Sequence, residues 1–333
     1  MTIDDGGSWA DEWAFFREVE GWSAAGRHRD VLDALERLPA PVREGRTRSA
    51  LLAAEANGRL GNYAEAARWA DLAGTLARTR GEAHTELRAR NYQGAIALRH
   101  GDVIEAEEHF AAGLEMARTL RDHTAEARGL NNLGILANIR GDHEAALANY
   151  RLALVAYQQV GHVRGIAETH HNIGISLRER GNARAALGAA EEAVRLATQV
   201  GDEQLVALAS TGRAELHVAL GDPAFAAAEL QRAVERYTRI GFLAGLPEVW
   251  RVQAAVARAT RDYAAAVSLL VKAARLANEY GSTDTLADIE RDLSISLAAS
   301  GDGEGARAAS ERAATLYRKV GAARAAERLV SRQ

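Results

Sequence analysis

Apolar residues along this chain recur every three or four positions, the spacing of one face of an α-helix rather than the alternation of a β-strand. The segments are rich in Ala, Leu, Arg and Glu, all good helix formers, and a turn signal interrupts them every 20 residues. Because Gly adopts the left-handed conformation that ends a helix and Asp or Asn caps the next, we predict helix pairs with a period of 40 residues. The turn signals within the pairs are Gly61-Asn62, Gly101-Asp102, Gly141-Asp142, Gly181-Asn182, Gly221-Asp222, Arg261-Asp262 and Gly301-Asp302.

Small residues mark the places where these helices meet. In the second helix of each pair (helix B), an Ala recurs at 40-residue intervals from Ala66 to Ala306. In the first helix (helix A), the corresponding series from Ala54 to Ser294 consists of Ala, Gly and Ser. Small residues at one point of each helix let the helix axes approach closely. The sequence therefore predicts an all-α fold, a right-handed α-solenoid of antiparallel helix pairs.

The same residues carry a family resemblance. Leu130-x2-Leu133-Gly134, followed by Ala146-x3-Tyr150, resembles the tetratricopeptide pattern, and Trp250 stands where that pattern has its Trp. The 40-residue period is longer than the usual one of about 34 and is similar to the repeats of kinesin light chains, LGN-type scaffolds and MalT-type sensors. The resemblance covers residues 42–321. It implies a superhelix whose A helices line a concave, ligand-binding face.

The chain divides into four predicted segments. We expect residues 1–8 to be disordered and residues 9–41 to form a divergent helical pair with a junction at Pro39-Ala40-Pro41. Residues 42–321 should form seven repeats, and residues 322–333 should form a helix that caps the solenoid. Pro247 predicts a longer loop over residues 241–246, because proline disfavours helix in the residue before it.

Composition and charge exclude several classes of function. The chain lacks Cys, which rules out disulfides, thiolate metal sites and a cysteine nucleophile. Its net charge of −4 disfavours nucleic acid as a partner. No run reaches the roughly 18 apolar residues of a membrane span, and the acidic start lacks the apolar core of a secretion signal. We therefore expect a cytoplasmic protein that does not contact a membrane.

Signals for catalysis or metal binding are weak throughout the sequence. His170 and His171 are adjacent, so they point to different helix faces and do not share a metal easily. The Gly-rich stretch at residues 301–305 lacks the lysine of a phosphate loop and the ligand spacing of a calcium loop. It also falls in register with the other turns. We expect no catalytic residue, no metal and no cofactor.

The most informative polar pattern lies on the A helices. Three residues before each small A-helix residue stands a position that is polar in all repeats but the first, and we call these seven positions the ladder: Leu51, Asn91, Asn131, His171, Thr211, Arg251 and Arg291. A polar residue is natural there if the ladder lines a solvated groove. The predicted partner-binding residues on this face are Arg48, Arg88, Asn91, Arg99, Arg128, Asn131, Asn138, His171, Arg178 and Arg251.

These residue types predict a protein or peptide ligand with acidic groups. Arginine binds carboxylates through two parallel hydrogen bonds, and asparagine can pair with a backbone amide. The alternative is a solvated face on which Arg128 and Glu168 pair between neighbouring helices. An exposed pair of that kind contributes only about 0–1 kcal/mol.

Aromatic residues near the N-terminus form a second candidate surface. Trp9, Trp13 and Phe16 follow the spacing i, i+4, i+7 of one helix face. One hypothesis is a cap packed on the following helices. The other is a docking face for a partner or for a second copy of the chain, since aromatic side chains often anchor interfaces.

Four function classes follow from these observations. A non-catalytic scaffold that holds a peptide or partner helix in the concave groove fits a chain built entirely of repeats and caps. A ligand- or peptide-gated regulator would have to act through another protein, because no phosphate loop or helix-turn-helix is apparent. An enzyme would need a His or carboxylate constellation that the sequence does not display. RNA binding would rest on the groove arginines alone.

Overall fold

A computed structural model describes residues 9–24 and 26–330. The predicted disordered segment 1–8, residues 331–333 of the predicted C-terminal cap and the side chain of Trp9 lie outside the described part. Within the described residues the chain forms eighteen α-helices and one 3-10 turn, with no strand. The predicted all-α class is confirmed.

The helices follow the predicted order of pairs. Three precede the repeats: α1 (Trp9–Ala24), α2 (His28–Glu36) and α3 (Ala40–Gly45). The A helices are α4 (Thr47–Leu60), α6 (Ala83–His100), α8 (His123–Ile139), α10 (Val163–Glu179), α12 (Glu203–Ala219), α14 (Leu246–Ala259) and α16 (Thr283–Ser300). The B helices are α5 (Tyr63–Arg80), α7 (Val103–Leu120), α9 (His143–Gln159), α11 (Ala183–Val200), α13 (Pro223–Ile240), α15 (Tyr263–Glu279) and α17 (Gly303–Lys319). The last described helix is α18 (Ala323–Val330).

Two proline-containing segments differ in detail from the prediction. Pro39 precedes the short helix α3, so the junction is partly helical. Pro247 lies in the first turn of α14, where its missing N–H is not needed, and the 3-10 turn Leu243–Gly245 occupies part of the predicted loop.

The turns have the predicted chemistry. Gly61 and Gly101 end their helices with φ of 83° and 87°. Asp102 Oδ1 then accepts a hydrogen bond from the backbone N–H of Glu105 at 3.1 Å, which caps the following helix. Arg121 takes the same left-handed conformation with φ of 55°, so this turn also tolerates a side chain.

Small A-helix residues make room for the large B-helix residue of the same pair. A Cβ added to Gly134 would lie 2.7 Å from Cδ1 of Tyr150, which is 1% exposed. One repeat later Ala190 stands in place of the tyrosine. There a Cβ added to Gly174 would come no closer than 3.4 Å to another atom, the carbonyl oxygen of Ala186.

This difference predicts opposite effects for one substitution at equivalent positions. Gly134→Ala should lower the free energy of unfolding by about 1–2 kcal/mol, because overpacking against Tyr150 outweighs the gain in helix propensity. Gly174→Ala is the matched control and should leave stability unchanged or raise it. Urea unfolding of both variants checks this, and equal shifts in the two would contradict the packing described.

The solenoid winds far enough to touch itself. The side chain of Thr283 lies 3.4 Å from the carbonyl oxygen of His100, and Arg324 Nη1 donates to the carbonyl oxygen of Gly141 at 2.8 Å. Both contacts join residues 183 positions apart. One superhelical turn therefore takes about four and a half repeats. Residues of the second turn contact the residues that lie one turn earlier in the chain.

Candidate ligand-binding surface

The A helices form the inner wall of the superhelix. Each A helix from α4 to α14 contacts the next A helix along the chain, as expected on the shorter-radius side of a curved wall. The A helices of successive turns also meet, because α6 contacts α16. The ladder positions lie on this inner face.

Much of the ladder is buried, although we expected a solvated groove. Asn91, Asn131, Thr211 and Arg251 are 5%, 7%, 2% and 3% exposed. His171 and Arg291 are half-buried. The inner face is thus polar, as the sequence indicated, but largely closed to solvent in this conformation.

The inner-face arginines around Arg251 each form an ion pair with a carboxylate of the protein. The guanidinium of Arg251 donates to Glu215 and Glu248 at 2.7 Å and to Asp292 at 2.9 Å. Burial alone would raise the pKa of Asp292, but three neighbouring arginines hold it below its ordinary value. We call this cluster, from α10 to α17, the paired half.

Arginines before and after Arg251 in the chain also belong to the paired half. Arg178 pairs with Glu215, and Arg258 lies 3.8 Å from Asp292. Arg291 contacts Asp288 at 2.8 Å and Asp292 at 2.9 Å. The hydroxyl of Tyr317 donates to Asp288 at 2.5 Å. Charges in this half are therefore balanced within the protein.

The other half of the inner face carries arginines without a direct ion pair in the described part of the chain. Arg59, Arg99 and Arg128 are half-buried, and none forms an ion pair with a carboxylate in the described part of the chain. The guanidinium of Arg99 lies 5.4 Å from the ring centre of Tyr63. Burial raises the pKa of Tyr92, whose phenol lies near Arg59 and Arg128 and stays neutral. These three arginines lie in the A helices α4, α6 and α8, and we call them the basic half.

Several predicted binding residues have protein partners instead. Arg48 donates to both carboxylate oxygens of Glu20, at 2.5 and 2.6 Å, and Arg88 lies 3.3 Å from Glu55. The predicted pair of Arg128 and Glu168 does not form, because Glu168 binds Arg164 of its own helix at 3.0 Å. Arg164 lies four positions before Glu168 on the same helix, a spacing at which two side chains are neighbours.

The three predicted asparagines differ in whether the side-chain oxygen has a hydrogen-bond partner among the described residues. Asn131 Oδ1 accepts a hydrogen bond from Asn172 at 3.1 Å, and Asn138 Oδ1 accepts one from Ser176 at 2.7 Å. Asn91 donates to the carbonyl oxygen of Leu87 at 3.1 Å, while its own Oδ1 has no partner among the described residues.

His171 lies at the centre of the inner face, against Gly212 of the next A helix. A Cβ on Gly212 would lie 3.0 Å from Cε1 of the ring, so a larger residue there would require the ring to shift. Burial lowers the pKa of His171 to about 4, with Glu248 opposing and Arg178 adding to that effect. The ring is therefore a neutral hydrogen-bonding group near pH 7.

The sequence indicated a basic N-terminal and central groove and a C-terminal part of mixed charge, but it did not identify Tyr92 as a site residue. Tyr92 directly follows the ladder residue Asn91, and that adjacency was the available signal. Which arginine is compensated depends on contacts between repeats, such as Arg251 with Asp292, 41 positions apart.

Of the two predicted docking residues whose side chains the structure describes, Phe16 is buried and Trp13 is exposed. Phe16 is 2% exposed and belongs to the apolar cluster that includes Val31 and Leu52, as the cap hypothesis expects. Trp13 is 57% exposed, with the guanidinium of Arg17 at 4.6 Å from its ring centre. Trp13 and Phe16 line a surface cavity of about 680 Å³.

Over 9–24 and 26–330, no three His, Asp or Glu side chains are grouped as a metal site requires. Every helix in that part of the chain is too short or too polar to cross a bilayer.

Comparisons with known proteins agree with this architecture. The family model of the tetratricopeptide repeat matches residues 85–159 and 165–239. No curated protein sequence matches the chain. A solved Rap protein complexed with Competence and Sporulation Factor is similar over 97% of this chain and 96% of its own, with 12% identity and a TM-score of 0.63.

Two further solved structures are complexes with peptides. The Rap conjugation gene regulator of a plasmid, in complex with the Phr peptide, is 13% identical over 82% of this chain and 74% of its own, with a TM-score of 0.67. NprR in complex with its cognate peptide NprX is 16% identical over 91% and 88%, with a TM-score of 0.60. Residues 85–159 and 165–239 are therefore tetratricopeptide repeats, and the described chain as a whole has the fold of a tetratricopeptide-repeat solenoid.

Proposed function

We propose that this chain is a non-catalytic interaction scaffold that binds an extended peptide or a partner helix on the inner face. The observation that carries the proposal is the contrast between the two halves of that face. Arginines of the paired half are neutralised by the protein, whereas Arg59, Arg99 and Arg128 lack a carboxylate partner among the described residues.

The basic half specifies the chemistry of the ligand. A half-buried guanidinium without a counter-charge is costly, and a ligand carboxylate supplies both the charge and two parallel hydrogen bonds. The neutral phenol of Tyr92 beside these arginines suits an amide-containing chain. The proposed ligand is thus a peptide with acidic side chains near the basic half.

A peptide-gated regulator that acts through another protein is the second candidate. It is favoured by the burial of the ladder, because a ligand that reaches a closed face must change the shape of the solenoid. The fold likeness to Rap and NprR complexes supports peptide binding in both candidates.

The proposal predicts selective loss of acidic-peptide binding. A random heptapeptide library selected on the wild-type protein should yield acidic sequences, whose affinity can then be measured by fluorescence anisotropy. Arg99→Gln/Arg128→Gln should weaken binding by about 10- to 100-fold, the effect of losing hydrogen bonds to a charged group. The control is Arg151→Gln, because Arg151 is exposed on a B helix and forms no ion pair with another described residue.

Two outcomes would contradict this proposal. One is selection of peptides without acidic residues. The other is equal affinity of the wild type and the Arg99→Gln/Arg128→Gln variant, which would place binding away from the basic half.

A further inference from the structure

The two long edges of the solenoid are built from different turns. The turns within helix pairs, such as residues 61–62, form what we call the A–B edge, and the turns between pairs, such as residues 81–82, form the B–A edge. Because the superhelix exceeds one turn, the A–B edge of the first three repeats lies against the B–A edge of residues about one superhelical turn later. We call this contact within the chain the seam.

The turns of the seam meet in the same way at successive repeats. A Cβ added to Gly101 would lie 3.0 Å from Cγ1 of Val320 and 3.6 Å from Cγ2 of Thr283. A Cβ added to Gly61 would lie 3.3 Å from Cε1 of Tyr280. In both cases the residue that precedes a turn of the B–A edge covers a glycine of the A–B edge. The contact pattern therefore repeats with the 40-residue period.

Both edges continue beyond the seam. Four turns of the A–B edge, at residues 181, 221, 261 and 301, and four turns of the B–A edge, at residues 81, 121, 161 and 201, lie outside it. No atom of a more distant described residue lies within 4 Å of a Cβ added at these turn glycines: Gly81, Gly161 and Gly201 on the B–A edge, and Gly181, Gly221 and Gly301 on the A–B edge. Each of these two free edges is as long as the part that the seam engages.

The free edges expose apolar residues at positions that the seam buries. Val160 and Val200 precede their turns as Val320 does, but they are 41% and 43% exposed, whereas Val320 is 3% exposed. On the free A–B edge, Leu220 precedes the turn of its repeat and is 50% exposed. Burying such side chains against an opposing turn removes apolar surface from water, as it does in the seam.

We propose that a second copy of this chain docks its free B–A edge on the free A–B edge of the first, so that the superhelix continues from one molecule to the next. The two edges are complementary, because edges of the same repeats already meet in the seam. The two free edges of one chain lie at opposite ends of the superhelix, so they face away from each other. The contact is therefore heterologous, and every added copy leaves another free edge.

The association should be weak and open-ended. Within the chain, covalent connection holds the two edges of the seam together, whereas separate molecules lose translational and rotational freedom when they associate. We expect a dissociation constant of about 10 µM to about 1 mM for each contact. This proposal does not depend on peptide binding, since it uses the edges of the solenoid and not the inner face.

Sedimentation velocity over about 10 µM to about 1 mM protein tests the association. We expect the weight-average sedimentation coefficient of the wild type to rise past that of a dimer without reaching a plateau. Val160→Lys/Val200→Lys alters the B–A edge, and Leu220→Lys alters the A–B edge. Each variant should raise the dissociation constant by about tenfold or more, because a charge enters an apolar contact.

The fold should tolerate these changes, because the substituted side chains are exposed and a cation is favourable at the C-terminal end of a helix. The matched control is Val271→Lys. Val271 is 48% exposed in the middle of α15, away from both edges, and its variant should associate as the wild type does. Circular dichroism checks that all variants have the same helicity.

Mixing the two edge variants tests the direction of the contact. Each variant keeps one unaltered edge, so the mixture should form a dimer that adds no third copy, while each variant alone stays monomeric. A wild type that remains monomeric up to about 1 mM would overturn the proposal. Dimers of both edge variants alone would also overturn it, because they would indicate a two-fold contact elsewhere on the surface.

Discussion

Replacing Arg251 by methionine is expected to lower the free energy of unfolding by about 3–5 kcal/mol. The substitution removes the shared cation of Glu215, Glu248 and Asp292, and Asp292 is only 4% exposed. Breaking a buried ion-pair cluster from one side leaves like charges facing each other in a medium that screens them poorly. Urea unfolding at pH 7 measures the change.

The matched control for this prediction is Arg151→Met on the outer face. An exposed arginine without a partner should change stability by no more than about 0.5 kcal/mol. If Arg251→Met also costs less than 1 kcal/mol, the paired half does not stabilise the fold as described. Arg251 would then be available to a ligand, as the sequence alone predicted.

Acidification from pH 7 to pH 5 should destabilise the protein by about 4 kcal/mol through two half-buried histidines. Burial lowers the pKa of His28 to about 4, with Arg59 adding to the effect, and burial lowers that of His171 to about 4 as well. In the unfolded chain both titrate near 6.5, so the unfolded state takes up protons first as the pH falls. Stability is complete above pH 6.5 and is lost as the pH falls towards 4.

The pH range of the loss distinguishes the contribution of the histidines to stability from that of the carboxylates. Glu248 and Asp292 have pKa values below their ordinary ones, so their contribution is lost only at lower pH. Urea unfolding at pH 7, 6 and 5 should therefore show a slope that the His28→Asn/His171→Asn variant reduces; burial also lowers the pKa of His143, His162 and His170, which account for the remainder. Unchanged stability of the wild type between pH 7 and pH 5 would contradict the burial of these rings.

Local signals in the sequence were sufficient to predict the repeat and its turns. A glycine that adopts positive φ and an aspartate that caps the next helix act within a few residues, so Gly101 and Asp102 could be interpreted without a structure. The small A-helix series likewise identified where Gly134 lies against its partner helix. These predictions depend on contacts within one helix pair, which the period repeats along the chain.

Closure of the superhelix could not be predicted in the same way. Its curvature is the sum of small rotations between repeats, and no single residue encodes that sum. The burial of Asn91 and Asn131 depends on packing between neighbouring helices, such as the hydrogen bond that Asn172 donates to Asn131. Pairing across repeats is also context-dependent, since Glu168 binds Arg164 and leaves Arg128 uncompensated.

Hydrogen exchange with the selected acidic heptapeptide tests the central claim most directly. The claim is that the inner face, and within it the basic half, is the binding surface. Binding should slow amide exchange in the A helices α4, α6 and α8, with little change in the B helices α5, α7 and α9. Protection confined to the B helices or to α1 would contradict the account and place recognition on the outer face or at the N-terminal aromatic residues.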